Sequence, residues 1–311
     1  MKPAWSVIFL TTLCGMAQGL MLALVGADVL GAPLEPAAAQ RFFGGGALLC
    51  VGLAGLGLFA SFFHLGRPER FWRSAAMWRT SWLSREVIAV PAFIGAASWY
   101  AWAHHAGQGY ATAVGVLCVA CALALWVCTA MIYACLRFIR EWASPYTLAN
   151  FAVLGCASGF TAASAWAAWT APRWVPAYLL AAYLMLAAGL AVRLLMLRRN
   201  ARLRPGSTLQ SALGVRHPVI AQKSMGAMGG TFNTREFFHG RSAAAIRGVR
   251  WAFLLLLFPG SALLLAWGQL RASGALLAAA LAVQYLGLLA ERWFFFAQAN
   301  HPQNLYYQVV S

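Results

Sequence analysis

The chain has 311 residues, 62% of them hydrophobic and 10% charged, with a formal net charge of +16. Soluble domains carry about 25% charged residues, so this composition excludes a water-soluble enzyme and points to an integral membrane protein. The basic excess then marks membrane topology, a docking surface, or both, and not a nucleic-acid partner.

A bilayer-spanning helix needs about 20 mostly apolar residues. Eight segments qualify: 5–30, 42–64, 86–106, 110–136, 148–170, 174–197, 249–269 and 274–296. The expected fold class is all-α, a polytopic integral membrane bundle of eight transmembrane helices in a single membrane domain over 1–311. Strands are excluded because an open sheet leaves its backbone unsatisfied in lipid. The first segment has one lysine and then an apolar run too long for a signal-peptide core, so it reads as a retained span. Glycine runs such as "FFGGGALL", "VGLAGLG" and "VLGCASG" favour close helix–helix approach. In the fourth segment Cys118, Cys121, Cys128 and Cys135 recur on one helical face. They read as small packing residues, with a metal or redox role for Cys118 and Cys121 as the lesser alternative.

Between the second and third segments lies "HLGRPERFWRSAAMWRTSWLSREV", residues 64–87. Its 24 residues hold five arginines, two glutamates, one histidine and three tryptophans. With eight spans, this connection shares one face with both termini and with the connections near 137–147 and 198–248. That face collects 20 of the 23 basic residues, against Arg41, Arg173 and Arg271 opposite. The bias assigns the basic face, both termini and the long 198–248 connection to the cytoplasm.

Few residues offer chemistry. Haem held between spans needs two facing histidines at one depth. His64, His104, His105, His217, His239 and His301 supply no such pair, so a haem-free chain with no metal site is expected. Glu86 reads either as a helix N-terminal cap residue paired with Arg85 or, with His64, as a proton-handling pair at the membrane boundary. The aromatic and basic side chains between them, Trp82 included, suit an interfacial helix or the wall of a pocket for a flat ligand with an apolar tail, as a quinone has. Tyr133 ends the fourth segment on the same face and is a further candidate. No ionisable residue is expected near the centre of any span.

These blocks, with "MIYACLRFIREW", "TFNTREFFHG" and "RWFFFAQANHPQNLYY", closely resemble the membrane anchor subunits of the dimethyl sulfoxide reductase type, in order over most of the chain. The resemblance implies a three-subunit complex at the bacterial cytoplasmic (inner) membrane: a molybdopterin catalytic subunit, an iron–sulfur electron-transfer subunit, and an anchor that exchanges electrons with a quinone, ubiquinone or menaquinone. It assigns quinone binding and proton transfer to His64 and Glu86, with Trp82, Arg85 and Tyr133 beside them. Arg85 is expected to hold Glu86 ionised. Docking to the iron–sulfur partner is expected at Arg67, Arg73, Phe232, Asn233, Arg235, Glu236, Phe237, Phe238, His239, Asn300, His301 and Asn304. The alternative for the loop is a fold-back onto its own helices. The cytoplasmic charge bias favours the related anchors of sulfite-oxidising enzymes, which pass electrons to quinone, over quinol-oxidising reductases. A transporter is the rival from another class, although no internal repeat supports it.

Overall fold

The computed structural model describes residues 1–31, 34–63, 65–224 and 232–308, with residues 232 and 233 described by their backbone alone. Among these residues, eight helices are long and apolar enough to cross a membrane: α1 (Trp5–Val29), α2 (Pro36–Phe62), α3 (Trp82–His105), α4 (Ala111–Ala134), α5 (Pro145–Thr170), α6 (Pro172–Ala201), α7 (Ala243–Leu270) and α8 (Gly274–Ala297). Among the described residues there is no strand. The fold is the all-α membrane bundle that the hydropathy pattern calls for.

Helix ends follow local chemistry more than hydropathy. α3 starts at Trp82, where the Ser81 hydroxyl caps it by accepting from the Ser84 amide at 3.4 Å. α2 starts at Pro36, since a proline in the first turn loses no helical hydrogen bond. α6 runs four residues beyond the apolar segment, to Ala201, with Arg198 and Arg199 in its last turn, where cations suit the helix dipole. Pro259 in α7 sits in a π-helical turn, Leu256–Gly260, which absorbs the missing amide donor.

Helix α1 is the most buried of the eight and packs on α2, α4, α5 and α8. Its seam with α5 is built from glycine. Gly15 and Gly19 on α1, and Gly155 and Gly159 on α5, repeat at four residues and so share one face of each helix. A methyl at Gly19 would strike the Gly155 carbonyl, and one at Gly159 would strike the Gly19 backbone. Backbone meets backbone here, which is how helices associate where lipid removes the hydrophobic driving force. Around this axis α3 pairs with α4, α5 with α6 and α7 with α8.

Candidate functional site

Glu86 is one turn inside α3, roughly 6 Å from its first residue at 1.5 Å per residue. Its side chain turns into the bundle and is 6% exposed. One carboxylate oxygen accepts a 2.5 Å hydrogen bond from the Thr129 hydroxyl on α4. Glu86 and Thr129 line a small interior cavity with Thr11, Gln18, Trp126 and Phe151. Glu86 is therefore not the helix cap; Ser81 is.

Arg85 goes the other way. Its Nε donates to the Trp78 carbonyl at 2.9 Å and its Nη2 to the Arg79 carbonyl at 2.8 Å. The guanidinium lies 4.2 Å from the centre of the Trp82 ring. The expected Arg85–Glu86 pair is not formed, because successive helical residues point about 100° apart and the connecting loop offers Arg85 carbonyl oxygens. Arg85 fastens that loop, while Trp82 stacks against Arg85. His64 lies outside the described residues.

Tyr133 is buried in an aromatic nest of Trp142, Phe151, Phe295 and Phe296, at centroid distances of 5.2 to 5.7 Å. Phe151 belongs both to this nest and to the wall of the Glu86 cavity, so it links Tyr133 to that site. The guanidinium of Arg292 sits 3.8 Å from the Phe151 centroid.

Sequence reasoning missed a second polar cluster behind that ring. Arg193 on α6, and Glu291 and Arg292 on α8, are all at most 2% exposed. Arg193 Nε is 3.2 Å from Glu291 Oε1, and Arg292 Nη2 is 3.7 Å from Glu291 Oε2. Asn150 on α5 donates to Glu291 at 3.0 Å. Arg193 reads from hydropathy as an edge residue, but α6 carries it eight positions inside its end at Ala201. Charges inside the bundle are thus present, tied across three helices and flanked by the Phe253, Phe294 and Phe295 rings. At the opposite ends of α1 and α3, Asp28 accepts from Tyr100 at 3.0 Å and bonds His104 Nε2 at 3.1 Å.

The connecting segments of the basic face interlock. The Lys2 amide donates to the Glu236 carbonyl at 2.9 Å. Asn304 donates to the Phe237 carbonyl at 3.2 Å, and the His301 ring stacks on Phe237 at 3.9 Å. Asn300 donates to Glu141, and the Met1 amino group to the Ala299 carbonyl at 2.8 Å. Burial in this layer lowers the Met1 amine to about 6 and holds His239 and His301 below the ordinary histidine value, with the nearby amino group as a second cause for both histidines. The loop of Glu236, Phe237, Phe238 and His239 is half-buried against its own chain, whereas Arg67, Arg73 and Arg235 stay exposed.

Among the described residues, no three His, Cys, Asp or Glu side chains converge on a metal position. A polytopic bundle with one elaborated, basic face and a buried carboxylate just beneath it defines the class: a membrane anchor. The family model for "DMSO reductase anchor subunit (DmsC)" matches residues 1–259, and the chain belongs to that family of anchor subunits of redox complexes. It is 51% identical, over 325 aligned positions covering all of both chains, to a sulfite dehydrogenase subunit of Allochromatium vinosum.

Proposed function

We propose that this chain passes electrons from an iron–sulfur subunit to membrane quinone, in a complex whose molybdopterin subunit oxidises sulfite in the cytoplasm. The observation that carries the reading is the Glu86 carboxylate, buried next to the basic face and held by Thr129. Quinone reduction takes up two electrons and two protons, so the site needs a group that delivers protons near water. A carboxylate one turn below the basic face meets that need. The full-length likeness to a subunit of a sulfite dehydrogenase supports the choice of donor.

The cavity beside Glu86, about 10 Å³, has room for one water and none for a quinone ring. The ring would therefore sit on the lipid side of α3, near His64 and Trp82, with its tail in the bilayer. Glu86 would serve it from the protein side, and Tyr133 and Arg85 would shape the walls without exchanging protons. The iron–sulfur partner would dock on the interlocked basic layer through exposed Arg67, Arg73 and Arg235, together with Phe232, Asn233, Phe238, Asn300 and Asn304. Both termini would be cytoplasmic.

The test is Glu86→Gln, which keeps shape and removes charge. Sulfite-dependent quinone reduction falls by about the 10²–10⁴-fold of a lost acid–base group, while sulfite oxidation with an artificial acceptor persists. A quinone rate at the wild-type level would place the site elsewhere. The family name supports a second reading, a quinol-oxidising reductase. Purified complex that reduces a sulfoxide with quinol, and leaves sulfite untouched, would favour it.

A further inference from the structure

The cavity under Glu86 is polar on several sides. Trp126 on α4 is 4% exposed, and its indole N–H has no protein partner. That nitrogen packs against Gly155, where an added methyl would come within 2.9 Å of it. The Thr11 hydroxyl spends its hydrogen on the carbonyls of Val7 and Ile8, at 2.9 and 3.2 Å, which leaves its oxygen able to accept. Gln18 gives an amide hydrogen to the Ala122 carbonyl at 2.8 Å. A donor without a partner, a carboxylate and an accepting hydroxyl thus surround a space of about 10 Å³. Internal waters occupy such spaces, typically with two to four polar partners each.

We propose that an ordered water fills this cavity, accepting from Trp126 and donating to Glu86 and Thr11. The inference rests on the reading of Glu86 as the proton-handling group and deepens it. Thr129 supplies one partner to the carboxylate and the water supplies the second, from the bundle interior. Trp126 is then a positioning residue: it fixes the water, and the water fixes the orientation of Glu86. The glycine seam is part of the site, because only glycine at 155 leaves room for the indole nitrogen.

Infrared difference spectroscopy on the full complex in membranes tests this, with the Glu86 carboxyl or carboxylate band assigned by its loss in Glu86→Gln. Trp126→Phe keeps an aromatic ring and removes the N–H. The Glu86 band should shift, because the water that donates to the carboxylate is no longer held in place. Thr11→Val, with no bulk added, should shift the band in the same experiment and serves as the deciding variant if Trp126→Phe does not assemble. An unchanged band position in the assembled variants would overturn the water site. A shifted band alongside undiminished quinone turnover in Glu86→Gln would instead retire the quinone reading and leave the water site standing.

Discussion

Thr129 and Glu86, 43 residues apart on neighbouring helices, form a hydrogen bond inside the bundle, while Arg85 at the preceding position is tied to the loop outside it. Two consecutive side chains thus serve two different surroundings. Thr129→Val removes the donor and keeps the volume. A hydrogen bond to a charged group is worth about 1.5–3 kcal/mol, so quinone-coupled turnover should drop roughly 10–100-fold at tenfold per 1.4 kcal/mol. Steady-state rates with quinone and with an artificial acceptor separate this from loss of assembly; equal wild-type rates in both would show the bond to be idle.

Glu291 answers to two buried guanidiniums. Glu291→Gln leaves Arg193 and Arg292 without their counter-charge in the bundle interior. Breaking such a cluster costs about 3–5 kcal/mol. The variant should lose thermal stability in detergent far more than Glu86→Gln does. Equal melting temperatures for the two variants would contradict the structural role.

The basic layer should loosen in acid. The Met1 amine falls from 8.0 to about 6 in the fold, and His239 and His301 are held below 6.5. Each group prefers to be neutral in the folded layer. Their stabilisation is therefore complete above the unfolded values, and it is lost as pH falls from 8 through 6.5 toward the folded values. Protection factors of the 234–240 backbone, which compare each amide's exchange with its intrinsic rate at the same pH, should fall steadily over that range, and a His301→Gln variant should show a shallower dependence. Protection that rises on acidification would refute the sign.

Orientation can be read directly. Reporter fusions in the 202–208 stretch and at Gly107 should report opposite sides of the membrane, with the former cytoplasmic. The reverse pattern would move the docking face, and the sulfite chemistry proposed for it, out of the cytoplasm.

The spans were legible because about 20 apolar residues in a row admit few other structures. Glu86 was legible because a carboxylate at a membrane boundary is rare. Thr129, Trp126 and Gln18 were not, since neutral residues within apolar helices carry no pattern until the rotation of α4 against α1 and α3 is fixed. Adjacency misled for Arg85, whose partners come from a loop conformation that no periodicity encodes. Arg193 was misplaced because hydropathy falls before the helix ends, and the cation itself helped to lower it. Asp28 and His104 were each visible, but their meeting depended on the ends of α1 and α3 coming together in the fold.

The glycine seam also sets a schedule. Helix α1 leaves the ribosome before α5, and the surface that receives Gly19 arrives with Gly159, 140 residues later in the sequence. At the usual 5–20 residues per second, α1 waits about 7–28 s for its partner. Through that interval its bare backbone stripe faces lipid or the insertion machinery. The central helix of the finished bundle is thus an early and incomplete intermediate, and substitutions along its glycine face should first show themselves as degraded nascent chains.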